Sequence, residues 1–240
     1  MSEFLYDLHI HSCLSPCGSE DMTPGNVAGM ACVLGLRIAA LTDHNSAKNT
    51  PAFFAACRQY GVVPVAGMEL TTSEDIHMVC LFPDLASALA FDEAIQPRRM
   101  QMPNRPDRFG YQTIRGEEDE ILGEDPWFLP AATTLSLEEG ASLVRRMGGV
   151  CWPAHIDRDS GGLLAMLGAF PEEPKFGLAE LRDPANAPLA EGRRVLICSD
   201  AHYLDNMKDG GEPLTLDAPA EGTEEEIRDA LFRFLRENGG

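Results

Sequence analysis

The sequence lacks the segments that mark exported and membrane-spanning proteins. No stretch approaches about 18 uninterrupted apolar residues, so we expect no membrane span. The first residues, Met1 to Asp7, contain no basic cluster and no apolar signal core, so we expect no export. The 7 cysteines form no Cys-x-x-Cys pair and mostly lie in apolar runs, which indicates buried reduced thiols. Together these absences predict a cytoplasmic protein.

Basic residues are also scarce. The chain of 240 residues has 19 Lys and Arg against 38 Asp and Glu, which gives a formal net charge of −19. Binding along a phosphate backbone or to an anionic membrane needs a basic surface, so the charge predicts no long nucleic acid and no membrane among the partners. One phosphate group, held by metal ions or by a few arginines, remains compatible with this balance.

Apolar runs of strand length alternate with helical patterns along most of the chain. Helix starts such as Thr23-Pro24 fall between several of the runs. This alternation predicts one α/β domain over residues 1–240, with a parallel sheet that is either closed into a barrel or open and doubly wound. In both folds, functional residues follow the carboxyl ends of strands. The predicted strands are 4–10, 37–42, 62–67, 76–82, 150–154, 177–181 and 195–199.

The segment 96–135 interrupts this alternation. It lacks periodicity, is rich in proline, glycine and charge, and carries several arginines in its first half. A structureless loop of this length inside a compact domain is usually functional or a small insertion. We predict an inserted subdomain or lid, in which Arg98 and Arg99 contact the substrate. A solvated surface loop is the alternative.

The histidines carry the strongest functional signal. In Asp7-Leu8-His9-Ile10-His11, three polar side chains recur at period two and therefore share one face of a strand, at its carboxyl end. A divalent metal would take a nitrogen from each imidazole, and the carboxylate of Asp7 would orient one ring. Two surface histidines on an edge strand are the alternative.

Further histidines and acids follow the other predicted strands. Taken singly, several have simple structural explanations, such as a satisfied turn for Asp43 and His44 or a packed core residue for His77. Together, six histidines and two carboxylates exceed the ligands that one ion needs, so two or three clustered metals are predicted. Besides His9 and His11, the residues near the ends of the other predicted strands are Asp43 and His44, Glu69, His77, His155, and Asp200 with His202.

These motifs, in this order, resemble those of the PHP (polymerase and histidinol phosphatase) family, over about residues 5–205. The resemblance implies a distorted seven-stranded, TIM-like (β/α)7 barrel, here with an inserted subdomain or lid. It also implies a two- or three-metal centre of zinc, manganese or iron that hydrolyses phosphoesters.

The family pattern implies one ligand set for each metal. The first is His9, His11, Glu69 and Asp200; the second is His77, His155 and a bridging Glu69; the third is His44, His202 and a residue shortly after the first motif. The family often has Asp or His five or six positions past the second histidine, where this chain has Pro16 and Cys17. Cys17 is the predicted ligand, Glu20 or Asp21 could reach instead, and an ordinary loop thiol is the remaining alternative.

The predicted activity is hydrolysis of a small phosphorylated molecule, such as a nucleotide, polyol phosphate or histidinol phosphate, by a metal-bridged hydroxide. Inorganic phosphate is a further expected ligand. Asp200 and His202 are candidate proton donors for the leaving group, and Arg158 is the cation placed to bind two phosphate oxygens unless it pairs with Asp157 or Asp159.

Two other functions remain open. The first is a barrel metal hydrolase of amidohydrolase type, although no lysine lies at a predicted strand end as such enzymes commonly require. The second is a non-catalytic metal-binding regulatory module, which the complete ligand set disfavours.

Overall fold

The computed structural model describes residues 1–208 and 211–239 as a set of short strands interleaved with helices. The strands are β1 Ser2–Phe4, β2 Tyr6–Ile10, β3 Ile38–Leu41, β4 Val63–Thr71, β5 His77–Phe82, β6 Thr113–Arg115, β7 Ile121–Glu124, β8 Val150–Pro153, β9 Leu178–Leu181, β10 Arg194–Ile197 and β11 Leu214–Leu216. The helices are α1 Pro24–Val33, α2 Thr50–Tyr60, α3 Leu85–Ile95, α4 Pro106–Phe109, α5 Leu137–Arg146, α6 Leu163–Leu167 and α7 Glu224–Gly239. Among these described helices, none is long and apolar enough to cross a membrane.

The main sheet has five strands in the order β2-β3-β4-β5-β8. Strands β2, β3 and β4 are parallel, whereas β5 is antiparallel to both of its neighbours. A separate parallel pair, β9 and β10, approaches the first strand through a bridge between Ile10 and Ala201. The arrangement is a curled half-barrel, which confirms the predicted mixed α/β class. Within the described residues, ladder hydrogen bonds do not close the seven predicted strands into a barrel.

The direction of β5 corrects the expectation of an all-parallel sheet. Strand β4 continues to Thr71, and only residues 72–76 separate it from β5. A parallel crossover needs about a dozen residues or more, so this short connection can only return the chain antiparallel. His77 at the amino end of β5 therefore lies at the same edge as the carboxyl ends of the parallel strands. Glu69, expected just after a strand, lies inside β4 and bridges to His44.

Strand side chains alternate between two buried apolar clusters. One contains Leu8, Val65 and Trp152 and is covered by Leu231 of α7. The other packs strand residues such as Ile10 against helices α1, α2, α3 and α5. Both clusters consist of fully buried aliphatic and aromatic groups, so the sheet is held rigidly between its two layers. The edge with the histidines is fixed by this packing.

The insertion, residues 96–135, contains α4 and the β6-β7 hairpin. It contacts the loops that follow β2 and β3: the Thr113 amide donates to the Cys13 carbonyl over 3.0 Å, and the Asn45 side chain donates to the Leu129 carbonyl over 2.7 Å. The buried carboxylate of Asp125 accepts from Lys48 over 2.6 Å, an ion pair that ties the insertion to the second of these loops. The insertion therefore lies beside the edge that carries the histidines. Movement of this segment as a lid stays a prediction.

Candidate metal centre

Six imidazole rings form one continuous cluster at the edge of the sheet. Ring centroids are 4.1 Å apart for His11 and His202 and 4.5 Å apart for His11 and His44. Glu69 lies at the middle of the cluster. Its Oε1 atom is 2.9 Å from His77 Nδ1 and 2.9 Å from His155 Nε2, and its Oε2 atom is 2.8 Å from His44 Nδ1. The fold therefore brings together residues from six separate segments of the sequence.

His9 and His11 face each other through their Nε2 atoms, which are 3.1 Å apart. His9 Nδ1 donates to Glu180 Oε1 over 2.8 Å, and His11 Nδ1 donates to Ser15 Oγ over 2.9 Å. Each Nδ1 is therefore a proton donor, and each Nε2 is left to hold a proton or a metal ion. At this distance the two Nε2 atoms cannot both present lone pairs, so a cation, either a proton or a metal ion, lies between or beside them. This arrangement fits a divalent metal.

Buried atoms without a hydrogen-bond partner support the same conclusion. Among the described residues they include Asp200 Oδ1, Glu69 Oε2 and His44 Nδ1. Asp200 Oδ1 lies 3.3 Å from His11 Nε2, and Glu69 Oε2 lies 3.4 Å from the same atom. Buried polar atoms are nearly always satisfied, so a group of carboxylate oxygens and imidazole nitrogens without well-aligned hydrogen bonds indicates a cation site. The residues present fit the implied metal ions.

Three sets of ligand atoms converge within 4.8 Å of one another. The first agrees with the predicted first metal set. The second has His44 where His155 was predicted, and the third has His11 where a loop residue was predicted. The sets are His9, His11, Glu69 and Asp200; His44, Glu69 and His77; and His11, His44 and His202. The assignment of particular ions to these sets stays a prediction.

The structure does not bring the predicted loop ligand into these sets. Cys17 is exposed and belongs to none of the sets formed by the described residues. Glu20 and Asp21, the two alternatives, are exposed as well. The loop folds back on itself, since the backbone amide of Cys13 donates to the Met22 carbonyl over 2.8 Å. In this turn, the side chains of Glu20 and Asp21 face solvent.

Asp7 does not orient a ring, contrary to expectation. Its Oδ1 atom accepts from the backbone amides of His9 over 3.3 Å and Ser199 over 3.2 Å, and Oδ2 has no hydrogen-bond partner. Complete burial raises the pKa of the Asp7 carboxyl to about 7. Asp7 therefore joins the backbone after β10 to that of β2.

Glu180 performs the task that was expected of Asp7, and the sequence reasoning missed it. Besides His9, it accepts from Trp152 Nε1 over 3.3 Å and from the His155 amide over 3.2 Å. It is fully buried in the middle of β9. The sequence does contain an indication of this role, a single carboxylate within the apolar run Leu178 to Leu181. Glutamate is almost never buried without a partner, so a glutamate in a buried strand predicts a polar partner nearby.

Asp43 supports His11 through a serine. Its Oδ1 atom accepts from the Ser12 amide over 2.7 Å and from Ser15 Oγ over 2.7 Å, and Oδ2 accepts from Ser12 Oγ over 2.6 Å. Because the Ser15 hydroxyl donates to Asp43, it is left to accept from His11 Nδ1. The Asp43 carboxylate thus fixes the orientation of the His11 ring through two successive hydrogen bonds, with the Ser15 hydroxyl between them.

The arginines divide into one at the centre and two away from it. Arg158 Nη1 donates to Asp200 Oδ2 over 2.8 Å, rather than pairing with a neighbouring aspartate, and its side chain is 34% exposed. Arg98 instead bonds to Thr134 and to Glu139 of α5. Arg99 is buried against Asp125. Neither Arg98 nor Arg99 reaches the metal centre, because each is held by partners within or beside the insertion.

The charge states suit metal ligands rather than proton donors. Burial lowers the pKa of His44 to about 4 and of His202 to about 3, so both rings are neutral at pH 7. His202 Nδ1 donates to the Asp200 carbonyl over 2.9 Å, which leaves a lone pair on Nε2. Burial would raise the pKa of Asp200, but His9 and His11 hold it well below its usual range. An ionised Asp200 and a neutral His202 are poor acids, so this geometry favours their ligand role over the predicted proton-donor role.

Comparison with known protein families identifies one match. The family model described as the PHP domain matches residues 7–207. This range covers most of the chain and includes every residue of the metal centre. None of the curated protein sequences compared with the chain matches it.

Several solved structures share the fold. A lesion-specific endonuclease Q from Pyrococcus furiosus superimposes with a TM-score of 0.68 at 20% identity, over 97% of this chain and 56% of the endonuclease. An endonuclease Q complex with a 27-mer duplex that has an abasic lesion at the active site gives a TM-score of 0.60 at 20% identity, over 98% and 57%. A protein assigned as a metal-dependent phosphoesterase from Bifidobacterium adolescentis gives 0.55 at 19% identity, over 95% and 96%. The chain thus spans just over half the length of the two endonucleases.

These similarities overturn the predicted partners. The prediction named a small phosphorylated substrate or inorganic phosphate and excluded long nucleic acid, whereas an endonuclease of this fold holds duplex DNA. Net charge is a sum over the whole chain and does not report the potential at one site, where a substrate phosphate binds. Overall acidity therefore does not exclude nucleic acid.

Proposed function

The chain belongs to the PHP domain family of metal-dependent phosphoesterases, and from this premise we propose that it hydrolyses phosphodiester bonds in nucleic acid with two or three bound divalent metal ions. The facing Nε2 atoms of His9 and His11 carry this proposal, because two ring nitrogens 3.1 Å apart beside two unsatisfied carboxylate oxygens are the ligand set of a multivalent cation. The similarity to endonuclease Q supports nucleic acid as the substrate class.

The converging side chains would hold the ions. His9, His11, Glu69 and Asp200 would bind the first, and Glu69 would share the second with His77. His155 would be a further ligand of this ion, since its Nε2 atom lies 2.9 Å from Glu69 Oε1, the oxygen that His77 also contacts. The third set is His11, His44 and His202. Imidazole and carboxylate donors suit zinc, iron and manganese. When bound, such ions supply positive charge for phosphoryl oxygens and acidify water at the site.

The residues around the ligands fix their protons. Glu180 and Ser15 keep the ring protons of His9 and His11 on Nδ1, so the Nε2 lone pairs point into the centre. Such partners of metal-binding histidines usually change metal affinity about 10- to 100-fold when they are removed. These contacts preorganise the centre before a substrate arrives.

Arg158 would contact the reacting phosphate. Only one of its nitrogens is used by Asp200, and its side chain is partly exposed beside that ligand. The remaining N–H groups are therefore available for two phosphoryl oxygens in the forked geometry that guanidinium favours. This places a fixed positive charge where negative charge develops during hydrolysis.

Phosphoester chemistry is favoured over amide hydrolysis by the placement of the lysines. These are Lys48, Lys175 and Lys208. Lys48 is the nearest in sequence to a ligand motif, and its amine donates to Asp125 in the insertion. Lys175 and Lys208 are exposed. Within the described part of the chain, none of them is placed to bridge metals as a lysine does in barrel amidohydrolases.

The test combines elemental analysis with hydrolysis of bis(p-nitrophenyl) phosphate and of a labelled oligodeoxynucleotide, with added manganese, zinc or iron. His11→Ala and Asp200→Asn are expected to lose bound metal and at least about 100-fold in kcat/KM, because each removes a ligand of the first ion. Asp205→Asn is the matched control, since this exposed residue lies on the same loop.

A metal-loaded wild-type protein that cleaves neither substrate would contradict the proposal. Full activity in Asp200→Asn with unchanged metal content would contradict the assignment of the first ion.

A further inference from the structure

A cationic groove opens beside the metal centre. It has a volume of about 310 Å³ and is lined by Arg158, Arg182 and Lys208 together with Asp157, Asp183 and Asn186. Arg158 is the link between the two places, because the same side chain that lines the groove donates to the metal ligand Asp200. A ligand that occupies the groove would therefore extend directly away from the reacting phosphate.

The acidic residues of the groove are engaged with the protein itself. Asp157 accepts from the backbone amides of Arg182 and Asp183, both over 3.1 Å, and from the Asn186 side chain over 3.0 Å. Because these three donors satisfy it, the pKa of Asp157 is lowered despite some burial. Asp183 accepts from the Ala185 amide over 2.9 Å at the start of the following 3-10 turn. Both carboxylates therefore hold backbone in place.

Two cations of the groove, Arg182 and Lys208, form no ion pair with a carboxylate of the described residues. Across residues 1–208 and 211–239, no ion pair involves the side chain of Arg182 or Lys208. Among the described residues, the Lys208 amine hydrogen-bonds to the Arg182 carbonyl over 3.5 Å, and both side chains are exposed. In a chain of net charge −19, acids outnumber bases two to one, so two adjacent cations without carboxylate partners are an unusual local excess. Such an excess favours an anion.

The backbone beneath Arg182 is fixed rather than loose. Asp157 holds the amides of Arg182 and Asp183, and Asp157 is itself next to Arg158 in the chain. The backbone positions from which the two arginine side chains extend are therefore held next to each other, which suits a ligand with two neighbouring anionic groups. A nucleic-acid strand has this property, since its phosphates repeat at regular intervals.

We propose that Arg182 and Lys208 bind the phosphate next to the scissile phosphodiester of a nucleic-acid strand, while Arg158 binds the scissile one. This rests on the proposed function and deepens it, because it names a strand with neighbouring phosphates as the ligand. Contacts to backbone phosphate set register and orientation without reading sequence. The groove thus selects polymers over isolated phosphodiesters.

The experiment is equilibrium binding of a fluorescein-labelled, single-stranded 12-nucleotide phosphorothioate DNA, followed by anisotropy with the metal-loaded protein. Arg182→Ala and Lys208→Ala are each expected to weaken binding about tenfold, the value of a hydrogen bond to a charged group. Each should also reduce the slope of log affinity against log salt by about one. Arg233→Ala and Lys175→Ala are matched controls, since both residues are exposed and lie outside the groove.

A second measurement separates binding from chemistry. Hydrolysis of bis(p-nitrophenyl) phosphate, which has no neighbouring phosphate, should be unchanged in Arg182→Ala and Lys208→Ala, and so should bound metal. Unchanged metal content and unchanged hydrolysis also show that both variants fold.

The outcomes distinguish the two proposals. DNA binding that is equal in wild type, groove variants and controls, or that is absent in all of them, would contradict the proposal that Arg182 and Lys208 bind a neighbouring phosphate. DNA binding that depends on Arg182 and Lys208, without cleavage of any phosphodiester, would support the phosphate-binding role of the groove and contradict the proposed function.

Discussion

Replacing Glu180 by glutamine tests whether this buried carboxylate sets the metal centre. The substitution keeps the shape of the side chain and removes its charge. Glu180 currently accepts from His9 Nδ1, from the His155 amide and from Trp152 Nε1. A glutamine amide has one oxygen and one NH₂ group, so it can accept from only one side and must turn a donor toward the other.

The size of the effect follows from these contacts. If the amide oxygen faces His9, its NH₂ group faces Trp152 Nε1, 3.3 Å from the present oxygen, and two donors then oppose each other. An unsatisfied buried donor costs about 1–3 kcal/mol of folding stability. If the amide turns over, His9 loses its acceptor and the proton on Nδ1 is no longer fixed. Loss of such a partner reduces metal affinity about 10- to 100-fold, or about 1.4–2.7 kcal/mol.

The assay is a competitive zinc titration against a chromogenic chelator at 25 °C, with urea unfolding in EDTA measured in parallel. Glu180→Gln is expected to weaken zinc binding by the stated factor and to lower the free energy of unfolding of the metal-free protein. Glu172→Gln is the control, since Glu172 is exposed and lies outside the centre.

One result would refute the reasoning. If Glu180→Gln lowers the unfolding free energy but keeps zinc affinity within about twofold of wild type, Glu180 contributes to folding stability and not to metal binding. The ring of His9 would then be oriented by another group.

Three further predictions follow from the same contacts. Arg158→Ala should lower kcat/KM for an aryl phosphodiester about 10- to 100-fold at saturating metal, because it removes a phosphate-binding cation; an unchanged kcat/KM at saturating metal would contradict this. Asp125→Asn should lower the urea-derived unfolding free energy by about 3 kcal/mol, since it leaves Lys48 and Arg99 beside a neutral group. The exposed pair of Asp107 serves as its control, where Asp107→Asn should cost less than about 1 kcal/mol. In EDTA, stability should fall from pH 7 to 9, because Asp200 and Glu69 raise the pKa of His11 to about 9 against the opposing effect of burial. The folded chain then keeps a proton that the unfolded chain has lost, at up to about 1.4 kcal/mol per pH unit; urea titrations at both pH values that show a rise would contradict it.

The strands were predictable from the sequence because each is a short apolar run with a polar or turn boundary. Six of the seven predicted runs coincide with observed strands to within a few residues, and β4 runs four residues further, to Thr71. That extension shortens a connection which, at residues 68–75, was already predicted to be brief. Strand direction depends on the length of the connection, so the predicted bounds themselves were too close for a parallel crossover, and the expectation of an all-parallel sheet overlooked this.

The ligands were predictable for a different reason. His9 and His11 alternate at period two on one strand, and His44, His155, Asp200 and His202 follow strand ends, so local pattern predicted one edge for them. The partners of these ligands were not predictable in this way. Glu180 reaches His9 from 171 residues away, and only the curl of the sheet makes them neighbours. Cys17 lies outside the converging ligand sets of the described residues, and its role as a ligand stays a prediction, because the spacing of a loop does not determine where the loop turns.

The distribution of charge resolves the apparent conflict between an acidic chain and the proposed nucleic-acid substrate. Acids at the centre, such as Glu69 and Asp200, lie among histidines and would be offset by bound cations, so they do not present a negative surface to a phosphate. Beside them, the acids of the cationic groove face the backbone, while Arg182 and Lys208 face solvent without carboxylate partners in the described structure. A strand approaching this edge would meet local positive charge although the chain carries −19 overall. It follows that binding should be confined to one narrow track, and that salt should weaken it with the small slope of a few phosphate contacts rather than the steep slope of a basic protein.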